Sequence, residues 1–149
     1  GVESRISFSY RFSARTQLSL NAIFAYTSSL NNDAGSENFG KQLPYIPLIS
    51  NSAGAHLSVG PWEADLKWRY YSERYTMSSN DIMLTGKLPE YFMNNISLEK
   101  RFTSSWADFN LKGSINNLFD EEYLSVLSRP MPGINFEIFL GITPKWGKY

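Results

Sequence analysis

Three observations predict an all-β protein whose roughly seven antiparallel strands form the C-terminal segment of a transmembrane β-barrel. Apolar and polar residues alternate with a period of two through most of the chain, the pattern of strands with one apolar and one polar face. The connections between these stretches run short, long, short, long, short, long. Aromatic residues gather near the two ends of the strands rather than in their middles.

Composition agrees, and excludes several classes of function. Aromatic residues make up 15% of the 149, yet mean hydropathy is −0.31. A barrel wall in lipid averages out in this way, because outward apolar and inward polar residues alternate. A soluble β-sandwich has the same average, so the choice between them falls to the pattern. Fourteen basic residues balance fourteen acidic ones, which gives no sign of a nucleic-acid partner. Cysteine is absent and histidine occurs once, at His56, so no disulfide, thiolate site or multi-histidine metal centre is expected. No charged and apolar leader opens the chain, and no run of about 18 apolar residues suggests a spanning helix.

The first strand places Val2, Ile6, Phe8, Tyr10 and Phe12 on one face against Glu3, Arg5, Ser7, Ser9 and Arg11. After a tight connection at Ser13-Ala14-Arg15-Thr16, the second sets Leu18, Leu20, Ala22, Phe24 and Tyr26 against Gln17, Ser19 and Asn21. From Ser28 to about Asn51 the alternation stops, and turn formers give way to the proline-stiffened return Leu43-Pro44-Tyr45-Ile46-Pro47. The third strand carries Ala53, Ala55, Leu57 and Val59 opposite Ser52, His56 and Ser58. Gly60-Pro61 turns into the fourth, where Trp62, Ala64, Leu66, Trp68 and Tyr70 oppose Glu63, Asp65, Lys67, Arg69 and Tyr71, and which reads on to Tyr75. A second long loop covers Thr76 to Glu90. The fifth strand turns Phe92, Ile96, Leu98 and Phe102 outward, with Asn94 and Lys100 out of phase; Lys100 sits where its stem could snorkel. The sixth has Ala107, Phe109, Leu111 and Ile115 against Asp108, Asn110, Lys112, Ser114 and Asn116. The third long loop runs from about Phe119 to Gly133, and the last strand places Ile134, Phe136, Ile138, Leu140 and Ile142 on one face.

Outer-membrane barrels have short periplasmic turns and long extracellular loops, and this asymmetry favours a barrel over a sandwich. The membrane-interface aromatics expected from it are Phe12, Trp62, Phe102, Trp106 and Trp146 on the short-turn side and Tyr26, Tyr70 and Phe92 on the loop side. Bacterial barrels have an even number of strands with both ends in the periplasm. The last strand then descends from the cell surface, Gly1 lies on the outside, and residues 1–149 are expected to be the C-terminal portion of a larger barrel.

Asn117-Leu118-Phe119-Asp120 with Tyr123, followed by Pro130-Met131-Pro132-Gly133, resembles the closing signature of TonB-dependent outer-membrane receptors. Leu43-Pro44-Tyr45-Ile46-Pro47 and Leu88-Pro89-Glu90-Tyr91 are similar to the preceding loops of that family. The resemblance implies a receptor of about 22 strands around an N-terminal plug, in the outer membrane of a Gram-negative bacterium. Its implied partners are the rest of the barrel and the plug, the TonB energy-coupling complex, outer-membrane lipids, a surface lipoprotein where one exists, and a small-molecule nutrient. Val126-Leu127-Ser128-Arg129-Pro130-Met131-Pro132-Gly133 looks most like vitamin B12 and siderophore receptors. The alternatives are a passive porin-like or other outer-membrane barrel, and a soluble β-sandwich binding module.

No nucleophile, base and acid constellation is visible, so the chain does not read as an enzyme and no cofactor is expected. Tyr71, Arg74 and Tyr75, at the extracellular mouth of the fourth strand, together with Arg129, are the candidate ligand contacts. Asn31, Asn32 and Asp33, and Asn80 with Asp81, carry oxygen ligands but lack the spacing of a calcium cage, and read as turns. In the closing motif Asn117 and Asp120 suit a turn held by side-chain-to-backbone bonds, with Gly133 relieving strain before the last strand.

Overall fold

A computed structural model describes residues 1–81 and 86–145. Seven long strands form one antiparallel sheet: β1 (Val2–Ser13), β2 (Thr16–Tyr26), β3 (Ile49–Val59), β4 (Trp62–Tyr71), β7 (Tyr91–Thr103), β8 (Ala107–Asn116) and β11 (Asn135–Pro144), hydrogen-bonded in chain order. The remaining strands make two small hairpins within the long loops. One pairs β5 (Arg74–Tyr75) with β6 (Lys87–Leu88), the other β9 (Leu124–Val126) with β10 (Arg129–Pro130). The described residues contain no helix.

The register carries the period-two pattern across the whole sheet. Phe8, Leu20, Ala55, Leu66, Ile96, Ile115 and Phe136 are successive cross-strand partners in one apolar row. On the opposite face Ser9, Ser19, His56, Asp65, Ser97, Ser114 and Glu137 make a polar row in the same way. Among the described residues the apolar face buries only Ala107 against this chain: Ile138 is 84% exposed and Phe136 70%. Such a face is stable only when lipid or another surface covers it.

Asn94 and Lys100 do lie on the apolar face, opposite Trp68 and Trp62. Lys100 reaches the strand end and sets its ammonium 4.7 Å over the Trp62 ring, which offsets the misplaced charge. Opposing carboxylates Glu63 and Glu99 are direct cross-strand partners on the polar face. Arg101 bridges them at 3.0 Å to each. Asp65 instead takes His56 Nδ1 at 2.9 Å. Glycine lets two polar side chains lie flat on this face. Asn21 lies across Gly54 and Asn110 across Gly141, where any Cβ would strike the amide.

Three boundaries differ from the alternation. The third strand begins at Ile49 rather than near Ala53, because Asn51 occupies the apolar face opposite Tyr70 and conceals the phase. The fourth strand does not continue to Tyr75 but stops at Tyr71. Ser72 ends it: its N–H donates to the Ile49 carbonyl at 3.0 Å, and its hydroxyl accepts from the Ile49 N–H at 3.1 Å. The chain then leaves the sheet for the β5–β6 hairpin. The final strand runs Asn135–Pro144, and Trp146 lies outside the described residues.

Candidate functional site at the loop end

The three long connections, residues 27–48, 72–90 and 117–134, all leave the same end of the sheet and hold one another in place. The first is more ordered than its composition suggests. Gln42, 6% exposed, accepts from the Ser29 N–H at 3.0 Å and donates to the carbonyls of Thr27 and Ile46 at 3.3 and 3.4 Å. Backbone bonds Thr27 to Leu48 (2.8 Å) and Leu43 to Ser29 (2.7 Å) close it further. Asn31 and Asp33 spend their side-chain oxygens on the N–H groups of Asp33 and Gly35, so they form ordinary turns. Asn80, with its amide turned to satisfy both groups, pairs with the Gln42 N–H and C=O at 2.8 Å each.

The closing motif builds the third loop around Asn117, which is 1% exposed and has φ 53°. Its amide donates to the Glu121 carbonyl at 2.9 Å and accepts from the Glu121 N–H at 2.8 Å. Asp120, also in the left-handed region at φ 53°, accepts from the Ile134 N–H at 2.8 Å and so ties the loop to the start of β11. Asparagine and aspartate tolerate this conformation better than other side chains. Gly133 has a different role from the one expected. Its backbone is not left-handed, and it is required because a Cβ there would run into the Asp120 carboxylate.

An aromatic ladder stands on the polar face at this end. Tyr71 meets Tyr91, its cross-strand partner, at 5.1 Å between ring centroids, and Tyr91 stacks on Tyr123 of the third loop at 4.7 Å. All three rings are half-buried. The Arg74 guanidinium lies 4.8 Å over Tyr91. Beside the ladder is a cleft of about 550 Å³ lined by Pro89, Glu121, Tyr123, Leu124, Pro130 and Met131. An apolar and aromatic surface with a few carboxylates and carbonyls can hold an amphipathic ligand by stacking and directed hydrogen bonds.

The four candidate contacts fall into different environments. Tyr71 is half-buried in the ladder. Tyr75 is half-buried, with the Lys87 ammonium 5.0 Å over its ring, and Lys87 also pairs with Glu73. Arg129 is exposed in β10, away from the other three in sequence and paired with Val126. Arg74 is only 4% exposed and donates through Nη2 to the carbonyls of Pro89 at 3.2 Å and Leu124 at 2.9 Å. Burial pulls its pKa below the usual arginine range, opposed by the neighbouring Tyr91 and Tyr71 hydroxyls. Arg74 is therefore committed to the protein itself. Tyr91 and Tyr123 complete the ladder; the facing positions of Tyr71 and Tyr91 on adjacent strands were the signal for the first, and the second stood out only as part of the closing signature, not as a contact.

Seven of the eight expected interface aromatics fall among the described residues. Phe12, Trp62, Phe102 and Trp106 stand exposed at the short-turn end and Tyr26 and Phe92 at the loop end. Tyr70 is half-buried, 4.8 Å from Phe92, and donates its hydroxyl to Glu90 at 2.5 Å.

A model of the family described as TonB dependent receptor-like, beta-barrel, matches residues 1–118 of the 149. The match takes in six of the seven long strands and the first two long loops, and it ends inside the closing motif, at Leu118.

Proposed function

This chain belongs to the TonB-dependent receptor β-barrel family, transporters of the Gram-negative outer membrane, and on that premise we propose that it is the C-terminal part of an energised receptor importing a scarce nutrient. The observation that carries the reading is the contrast between the two ends of one sheet: bare turns at one, and a cross-tied, tyrosine-lined mouth at the other. The proposed nutrient is a cobalamin-like or iron-chelate compound. Val126 to Gly133, and a mouth of tyrosines with a broad cleft, support that class.

In this reading the polar face is the lumen wall, packed against a plug rather than lining an open channel. Inward-facing Ile23, Met93 and Phe139 suit contact with protein better than with a water column. The exposed aromatics at both strand ends sit at the two membrane–water interfaces. Ligand contact falls to Tyr71, Tyr75 and Arg129, joined by Tyr91 and Tyr123. The partners are the remaining barrel strands, the plug, outer-membrane lipid and the energy-coupling complex.

Uptake of labelled cobalamin and of labelled ferric chelates by cells with and without the receptor tests the proposal. The expected result is accumulation that depends on the receptor, ceases with a protonophore and falls on replacing Tyr123 by Ala. Accumulation insensitive to the protonophore would instead identify a passive pore.

A further inference from the structure

We infer that β5 is the hub joining the three long loops into one body, with Arg74 as its clasp: a positioning residue that fixes the third loop without touching ligand. The two residues of β5 face opposite neighbours. Arg74 sends its side chain to the third loop, where Nη2 donates to the Leu124 carbonyl at 2.9 Å. Tyr75 offers its carbonyl to the first loop, accepting from the Tyr45 N–H at 2.7 Å. Tyr45 is itself in the left-handed region at φ 61°, a conformation an aromatic residue adopts only where its surroundings impose it. Asn80 adds a second tie from this loop to Gln42, and β6 lies against β9.

Chemistry explains why the clasp is arginine. One planar guanidinium reaches the Pro89 and Leu124 carbonyls while lying against the Tyr91 ring, and that ring stacks on Tyr123. A lysine ammonium is a point charge and cannot keep both carbonyls and the ring face. Exclusion from water strengthens these bonds, since Arg74 is 4% exposed. The acceptors are backbone carbonyls, so the clasp reads the path of the third loop rather than its side chains. A ligand that displaces Tyr123 is then felt by all three loops. That last consequence rests on the mouth being the ligand site.

Hydrogen–deuterium exchange on the full-length receptor in detergent micelles tests the clasp. Arg74→Ala is expected to raise amide exchange roughly tenfold or more in residues 72–81 and also in 120–126, with β1 to β3 unchanged. Arg74→Lys recovers less than half of the lost protection. Lys87→Ala, in the same hairpin but with its ammonium tied, among the described residues, to Glu73 and Tyr75, loosens residues 72–81 alone. Loosening by Arg74→Ala confined to 72–81, or full protection in Arg74→Lys, overturns the inference. If Arg74→Ala does not assemble, Arg74→Lys is combined with Tyr123→Leu. The clasp requires their effects on 120–126 to be non-additive, and additivity overturns it. The readout is independent of transport: unlinked loops leave the uptake proposal standing, and absent uptake leaves the linkage standing.

Discussion

The sheet and its loop end are stabilised in opposite ways. The wall has a backbone ladder that is regular but for one register shift, between Arg11 and Ser13, and almost no interior: among the described residues Ala107 is the single buried residue in its long strands. The loop end has little regular structure but buries Gln42, Ser72, Arg74, Thr76, Leu88 and Asn117. The wall leaves its apolar side chains to the surroundings and satisfies its backbone by pairing, as a structure in lipid must. The loops face water, and they are ordered by polar side chains that replace missing backbone partners. A wall residue is thus sensitive to its medium, and a loop residue to its particular partners.

The largest effect should come from attacking the wall through its medium. Leu66→Arg, in the middle of the apolar row, is expected to destabilise the barrel by about 2–4 kcal/mol, measured by urea titration of folding into lipid vesicles. Ser58→Arg, on the polar face of the neighbouring strand, should stay within about 0.5 kcal/mol in the same assay. Equal losses would erase the distinction between the faces.

Asn117→Ala attacks the loop end instead. It leaves half-buried backbone groups of Glu121 without their partner at about 1–3 kcal/mol and removes a side chain suited to φ 53°. Limited proteolysis should cut within residues 117–134 while the folded barrel band survives on a semi-native gel. Gly133→Ala should act in the same place more weakly, by about 0.5–1.5 kcal/mol, because it displaces the Asp120 carboxylate from the Ile134 N–H. Arg101→Gln should be milder still. It leaves Glu63 and Glu99 opposed, and the loss should shrink as salt is raised from low to high concentration. The smallest effect concerns Lys87, whose pKa is raised above its ordinary 10.5 chiefly by its hydrogen bond to Glu73. A raised lysine pKa stabilises the folded hairpin fully below 10.5, and that contribution fades only as pH climbs beyond it. Exchange in residues 72–81 should therefore show no change from this pair between neutral pH and about 10.

Much of the wall was legible because a strand writes its orientation locally, at every second residue. The apolar phases of the first, second, fourth and sixth strands reappear in the observed register without adjustment. Legibility failed where one polar residue carried a nonlocal duty. Asn51 on the apolar face concealed the start of β3, and the Ser72 hydroxyl ended β4 within a run that still looked extended. The mouth was harder. Arg74 reads as an exposed cation beside tyrosines, and only its distance to Leu124, fifty residues away, shows that it is buried. Partners of that kind leave no periodic trace. Asn117 was legible as a turn former because its bonds to Glu121 are nearly local, whereas Asp120 was legible by residue type alone, its partner Ile134 lying fourteen residues on.

The paired glycines on the polar face bear on clearance inside the barrel. Where Asn21 crosses Gly54 and Asn110 crosses Gly141, an amide that would otherwise project inward lies along the wall. The effect is confined to the two glycines, because Lys67 is the cross-strand partner of Gly54 and Arg101 that of Asn110 on the same face. Whatever rests against the wall at these two spots meets a hydrogen-bonding amide presented edge-on. A methyl group added at either glycine would raise the surface by more than its own size, because it would also push the neighbouring amide away from the wall.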